Sequence, residues 1–200
     1  DAPVIWDLYS GVGSIGLSLA GRAKAVLGIE AVAAAVRDAR HNARLNAIAN
    51  AQFVEGDVAK VLREVADGER KLPEGLERPD VIVVDPPRAG LTKKAVSRIG
   101  EVGAPRIVYV SCNPATLAPN AADLGVFGYR LERVTPGLQG QLRAGGGSPD
   151  GNGGEGRGPP RGALPRGALL RSLPGMHRAL RRPAQGDGGI QVHMNIRGLP

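Results

Sequence analysis

Five short apolar runs recur through residues 1–136, and each one closes on a polar or conformationally special residue. They are Val4–Tyr9, Ala25–Glu30, Gln52–Glu55, Val81–Asp85 and Arg106–Ser111, with Tyr129–Thr135 as a sixth. Val81–Val84 reads Val-Ile-Val-Val without a break. A strand with one wet face alternates, whereas a strand covered on both faces is rich in Val and Ile throughout. Helical stretches separate the runs. A short one follows the Gly-rich turn Ser10–Gly13 and ends near Gly21, a long one without internal Gly or Pro spans about Val32 to Ala49, and a third covers Val58–Ala66. A polar stretch, Asp67–Pro79, then leads into the fourth run. Strand and helix in turn predict an α/β fold, a doubly wound parallel sheet.

The chain changes character after Pro136. Its net charge of +7 is lopsided: residues 1–136 hold 17 Lys+Arg against 16 Asp+Glu, and residues 137–200 hold nine against three. The second segment contains 17 Gly and seven Pro in 64 residues, no lysine and no aromatic side chain. Breakers above about 25–30% mark low-complexity chains, and so little apolar surface does not offset the entropy of ordering. Residues 137–200 are therefore expected to be a disordered tail. Two features stand out within it. Arg161-Gly-Ala-Leu-Pro and Arg166-Gly-Ala-Leu-Leu form a short imperfect repeat, and Ile190, Val192, Met194 and Ile196 alternate with polar residues like a strand. The alternation reads as chance spacing in a tail. No apolar run reaches the roughly 18 residues of a membrane span, and nothing at the N-terminus resembles a signal peptide. A single cysteine excludes an internal disulfide framework, an all-cysteine zinc site and an iron–sulfur cluster. A cytoplasmic location is expected.

In open parallel sheets, ligands bind beyond the carboxyl ends of the strands, near the switch in strand order. Those ends carry Asp7-Leu-Tyr-Ser-Gly-Val-Gly13, Gly28-Ile-Glu30, Gly56-Asp57, Asp85-Pro-Pro-Arg88 and Ser111-Cys-Asn-Pro114. Gly11-Val-Gly13-Ser14-Ile-Gly16 satisfies G-x-G-x-x-G with Glu30 nearly 20 residues on, the pattern of a nicotinamide dinucleotide site. Asp7 argues otherwise. A carboxylate closing the first strand opposes a pyrophosphate but suits the sulfonium and amine of S-adenosylmethionine. Glu30 would then take the ribose hydroxyls and Asp57 the adenine edge. The alternative for Asp7 and Asp57 is that they cap a helix or turn.

Asp85 precedes two prolines, which remove two amide donors and hold the residue before them extended. That suits a carboxylate aimed at a substrate or methyl donor. Amino-group methyltransferases place an aromatic residue where Arg88 stands, which argues against their chemistry. Cys112 is the only thiol. At a strand-to-helix turn, emerging amides favour a thiolate, although lone cysteines are more often buried core. A thiolate beside a methyl donor suggests attack on C6 of a pyrimidine, which makes C5 nucleophilic. His41 lies among Arg37, Arg40 and Arg44 on a helix face expected to be solvated, and no histidine pair has metal-ligand spacing. Trp6 reads as strand core, and no metal is expected.

Together these residues closely resemble the RNA (uracil-C5-)methyltransferase family, which makes 5-methyluridine in ribosomal and transfer RNA. Asp7–Ala20, Gly28–Glu30, Phe53–Asp57, Asp80–Leu91 and Ile107–Leu117 carry the likeness, and Tyr129–Pro136 continues it. The resemblance implies a Rossmann-like class I methyltransferase sheet in residues 1–136 and S-adenosyl-L-methionine as methyl donor. It implies donor contacts at Asp7, Tyr9, Gly11, Gly13, Ser14, Glu30, Asp57 and Asp85, and catalysis by Cys112 and Asp85. RNA is the implied partner, with 23S ribosomal RNA ahead of transfer RNA by the wording of the motifs. The rival reading is a remnant that binds the methyl donor without catalysis and touches RNA through its Arg/Gly-rich tail.

The departures are specific. Members of that family carry an RNA-binding domain of OB-fold type ahead of this one, for which these 200 residues hold no counterpart. After Leu117 the family usually continues toward Arg-Asp, where this chain has Pro119-Asn120. The family also ends with a Phe-Pro-x-Thr-x-His-Val-Glu stretch, whose glutamate removes the C5 proton and whose strand completes the sheet. After Pro136 that stretch is missing, and no carboxylate follows Val192-His193-Met194. The expected consequences are a sheet lacking its last strand and a protein that stalls on its substrate or is inactive. Arg, Gly, Pro and Ala without Lys is what a GC-rich gene yields when read out of frame. Reading the coding DNA from about Gly137 in its other frames should recover a His-Val-Glu segment; no such segment in any frame refutes out-of-frame translation.

Overall fold

The first strand, β1 (Val4–Leu8), is buried along its whole length and has a parallel partner on each side. In the computed structural model, which describes residues 1–136 and 190–196, β1 leads through the glycine turn into α1 (Ser14–Leu19) and a 3-10 turn (Ala20–Arg22). There follow β2 (Ala25–Glu30), α2 (Ala33–Leu45), β3 (Ala51–Glu55), α3 (Val58–Ala66), β4 (Val81–Val84), α4 (Lys93–Val102), β5 (Arg106–Ser111), α5 (Pro114–Gly125), β6 (Tyr129–Pro136) and β7 (Ile190–Ile196). The sheet order is β3-β2-β1-β4-β5-β7-β6, with β1 to β5 parallel and β7 antiparallel to both its neighbours. The order reverses between β1 and β4, so the switch point falls where the glycine turn and Asp85 meet.

Two expectations need correction. The sheet does not lack its last strand, because Ile190–Ile196 lies between β5 and β6, with Ile190 opposite both Ser111 and Pro136. The physical reason is the apolar alternation at 190–196, which matches the two-residue period of a strand, together with free ladder groups on the facing edges of β5 and β6. That segment is therefore not disordered tail. The remaining tail, 137–189 and 197–200, lies outside the described residues, as do the Arg161 and Arg166 repeat and His177.

The long helix also ends four residues before Ala49. Ala47 takes a left-handed conformation (φ 54°), its amide bonds to Arg44 O at 3.0 Å and the Ile48 amide to Ala43 O at 2.9 Å. This is a Schellman stop built on alanine instead of glycine, so the residues carry no ordinary end signal. Trp6 is buried, as expected, and its indole N–H donates to Leu76 O at 2.9 Å, tying the polar connection Asp67–Pro79 under the sheet. His41 is exposed.

Glycine is demanded at position 28 by packing. Gly28 pairs with Phe53 on the adjacent strand, and a Cβ there would stand 2.3 Å from Phe53 Cδ1 and 2.9 Å from Ser10 Oγ. The Phe53 ring thus lies across β2 and reaches the glycine turn, where a Cβ on Gly13 would meet Phe53 Cζ at 2.9 Å. Overpacking of a filled core costs about 1–3 kcal/mol. Gly28→Ala should lower stability by that amount in urea denaturation, and Phe53→Leu in the same chain should recover part of it. An unchanged midpoint for Gly28→Ala would show that the ring does not occupy this place.

Candidate active site at the carboxyl ends of the strands

Neighbouring strands stand about 4.8 Å apart, so the order β3-β2-β1-β4-β5 sets the motif residues in a row. Glu30 and Asp57 mark one end, the turn Tyr9–Ser14 the middle, and Asp85 and Cys112 the other end. Tyr9 begins the turn with a left-handed backbone (φ 64°), unusual for a residue with a side chain. Its amide and that of Ser10 both bond to Ile29 O, at 2.9 and 3.2 Å, which fastens the turn to the neighbouring strand. Gly11 and Gly13 are also left-handed (φ 53° and 83°), and the space beside Gly11 is open, since no atom lies within 4 Å of where a Cβ would stand. Ser14 opens α1 and is exposed.

Asp7 does not face that open space. It is 1% exposed, and its Oδ2 accepts from the Gly16 amide at 2.8 Å, capping α1 from the strand below. Its Oδ1 is buried and, among the described residues, has no hydrogen-bond partner; the same holds for Ser10 Oγ. Burial, against the opposing Gly16 bond, pushes the Asp7 carboxyl up to about 7, with help from the negative charges of Asp85 and Glu30. Asp57 likewise takes the capping role, accepting from the Lys60 amide at 2.9 Å as N-cap of α3. Both carboxylates thus do what their alternative reading held. Asp57 remains exposed at the row's end, whereas Asp7 is its floor.

Glu30 bridges the turn to the next helix. Oε2 accepts from the Gly11 amide at 2.9 Å and Oε1 from the Val32 amide at 2.8 Å. Each carboxylate oxygen has a second lone pair, so the bridge leaves acceptor capacity at the edge. Tyr9 lies near enough to Asp57, Tyr109 and Glu30 to feel them. Burial first, and those neighbours after it, push its phenol up to about 12.

Asp85 opens to solvent at the end of β4, and desolvation by the surrounding strand ends raises its carboxyl above the ordinary range. Cys112 is exposed, not core, immediately after β5. A set of polar side chains holds its loop. Ser111 Oγ accepts from the Asn113 amide at 3.0 Å, and Asn113 Oδ1 caps α5 through the Ala115 amide at 3.1 Å. Asn113 Nδ2 donates to Arg88 O at 3.2 Å, so the Asp-Pro-Pro-Arg loop and the cysteine loop are directly bonded. Sequence reasoning missed Ser10 and Tyr109, because an isolated serine or a strand tyrosine carries no motif.

Two cavities lie elsewhere. One of about 630 Å³, lined by Trp6, Pro79 and Pro105 among others, opens at the amino ends of the strands. The other, about 710 Å³ between α3 and α4, reaches the row only at Asp57. Among the described residues no three His, Cys, Asp or Glu side chains converge as a metal site, and no helix is long and apolar enough to cross a membrane.

A family model described as tRNA (uracil-5-)-methyltransferase matches residues 3–135. The chain belongs to that family. An uncharacterized RNA methyltransferase of Geobacter sulfurreducens is 48% identical over 130 residues, covering 65% of this chain and 25% of the relative. The crystal structure of Pyrococcus abyssi tRNA (uracil-54, C5)-methyltransferase in complex with S-adenosyl-L-homocysteine matches at 35% identity and a TM-score of 0.52, over 65% of this chain and 29% of that one. A precorrin 8w decarboxylase from Methanobacterium thermoautotrophicum covers 100% of this chain and 83% of its own at 17% identity (TM-score 0.58), a likeness of fold alone. The chain spans about a quarter of the length of the curated relatives it matches.

The raised Asp7 carboxyl has a measurable sign. Its folded value, about 7, exceeds the ordinary 3.8, so the unfolded chain ionises first and stability is lost as pH rises from about 4 to 7. Asp7→Asn removes this effect. The stability difference between variant and wild type should be smallest near pH 4 and grow in the variant's favour by on the order of 4 kcal/mol at pH 7. Urea titrations at several pH values measure it; a difference independent of pH would show that Asp7 ionises in place.

Proposed function

We propose that this chain carries the catalytic domain of an S-adenosylmethionine-dependent RNA (uracil-C5-)methyltransferase, with Cys112 as the nucleophile. The observation that carries the reading is the juxtaposition of an exposed Cys112 and Asp85 on adjacent strands, beside a glycine turn whose open space lies over Gly11. The residues fit the donor. Tyr9, Gly11, Gly13 and Ser14 surround the open space, Glu30 retains acceptors for ribose hydroxyls, and Asp57 stands at the adenine end. Asp7 acts from beneath: with Ser10 it leaves two buried polar atoms without partners under the turn, and its negative charge favours a cation above. When bound, S-adenosylmethionine supplies an electrophilic methyl group.

The chain's own part in the reaction follows from its thiol. Cys112 Sγ, as thiolate, forms a bond to C6 of the uracil ring. The C5–C6 double-bond electrons move toward C5 and the O4 carbonyl, which makes C5 the nucleophile that takes the methyl group. Asp85 sits one strand away, and its raised carboxyl is placed to hold a hydrogen bond on the ring or the donor while the adduct forms. Release requires loss of the C5 proton and expulsion of Sγ, and none of the described residues is assigned that step. The base must also leave its stack to reach Cys112. Uridine in RNA is the proposed substrate, ribosomal RNA ahead of transfer RNA by motif wording, and the cytoplasm the proposed compartment.

A 5-fluorouridine RNA tests the assignment, because fluorine at C5 does not leave as a proton does and the methylated adduct persists. The wild-type chain should form a covalent complex that depends on the methyl donor and resists denaturing electrophoresis. Cys112→Ala should abolish it. An adduct that survives in the variant would overturn the role of Cys112. Stabilisation by the donor without any wild-type adduct would favour the non-catalytic remnant.

A further inference from the structure

The most fully bonded buried side chain near the site is Asn120, on α5, where the residues depart from the family's usual wording. Its Oδ1 accepts from the Leu91 amide at 2.8 Å and from the Tyr109 hydroxyl at 3.0 Å, and its Nδ2 donates to Leu91 O at 3.1 Å. Both backbone groups of Leu91 are thus held by one amide, as a neighbouring strand would hold them. Asn120 is 8% exposed and Tyr109 is fully buried, so these bonds are shielded from water.

Leu91 ends the loop that begins at Asp85. Within it the Gly90 amide bonds to Pro87 O at 2.8 Å, closing a turn, and Gly90 is left-handed (φ 77°). A Cβ on Gly90 would stand 2.8 Å from Asn120 Oδ1 and 2.9 Å from Thr116 Cβ. The loop is therefore shaped to admit the Asn120 amide. Asn113, Thr116 and Asn120 lie three and four residues apart, on one face of α5, and all three bond to this loop: Thr116 Oγ1 to Arg88 O at 3.4 Å, Asn113 Nδ2 to the same carbonyl, and Asn120 to Leu91.

We infer that Asn120 is a positioning residue for the transfer step. Clamping Leu91 to the helix that follows Cys112 keeps the Asp85–Arg88 loop and the thiol in one fixed relation, so that both meet the same pyrimidine. The inference rests on the proposed function for what is positioned, while the clamp itself rests on the hydrogen bonds alone. An Asp at this place accepts from the Leu91 amide and the Tyr109 hydroxyl but has no donor for Leu91 O. Asn supplies both sides.

Two readouts on the full chain separate the possibilities. In Asn120→Ala, hydrogen exchange at the Leu91 amide should speed by about tenfold or more while β1 and β4 stay protected. The maximal rate of adduct formation with 5-fluorouridine RNA should also fall about tenfold or more, at an unchanged half-saturating RNA concentration. Asn120→Asp should recover part of both, and a merely structural loss would not be rescued in the rate alone. Gly90→Ala disrupts the same fit from the loop side and serves if Asn120→Ala does not fold. Unchanged Leu91 exchange overturns the clamp. Fast exchange with an unchanged adduct rate overturns the positioning role. A wild-type chain that forms no adduct overturns the proposed function, and Leu91 exchange then decides the clamp by itself.

Discussion

A carboxylate that is almost wholly withdrawn from water holds the working edge of this sheet in shape. Asp7 sits at the end of a strand paired on both sides, and its bond to the Gly16 amide draws the start of α1 down onto β1. Gly16 must lack a side chain, since a Cβ there would stand 2.8 Å from Asp7 Oδ2. The chain between them is then too short for anything but a tight turn, which is why left-handed residues crowd into Tyr9–Gly13. Charge and backbone geometry are one constraint here. Burial of the carboxyl raises the cost of its ionised form, and the turn above is the natural place for a compensating positive charge.

The other half of the edge is organised by neutral hydrogen bonds. Asp85 and Cys112 lie at the ends of adjacent strands, yet the loops that follow them run in different directions, one to α4 and the other into α5. Asn113, Thr116 and Asn120 bind the first loop to the second helix, so α5 acts as a brace for both. The prolines after Asp85 fit this scheme: with Pro86 and Pro87 lacking amides, the loop has fewer donors to satisfy, and its remaining backbone groups at Arg88 and Leu91 are met by α5 side chains. Electrostatics govern the end proposed to hold the donor, and rigid amide geometry governs the end proposed to hold the base.

Much of this was legible in the residues because each strand end announces itself chemically. Asp-Pro-Pro-Arg and Ser-Cys-Asn-Pro demand special backbone geometry wherever they stand, and the Val/Ile runs before them admit few folds. What stayed hidden has a physical pattern. Asp7 and Asp57 were ambiguous because a carboxylate at a strand end serves equally as ligand or as cap, and only burial distinguishes the two. The end of α2 was invisible because alanine, not glycine, adopts the left-handed stop at position 47. Asn120 looked like a mere departure from a pattern, since its three partners lie 11 to 29 residues away. β7 was discounted because its partners lie farther still, and a local alternation says nothing about which edges await it.

That last strand has a kinetic meaning. β5 and β6 point the same way and are finished more than 50 residues before β7 begins, yet β7 must lie between them. Until it arrives, β6 has no legitimate place in the sheet, and the edge of β5 offers it a wrong one. Direct pairing of β5 with β6 would satisfy local hydrogen bonds and obstruct the native order, so a folding chain must hold β6 off or undo that pairing. Closing the long connection adds its own slow search. The antiparallel strand thus makes completion of the sheet a late event, separable from assembly of the five parallel strands that carry the site.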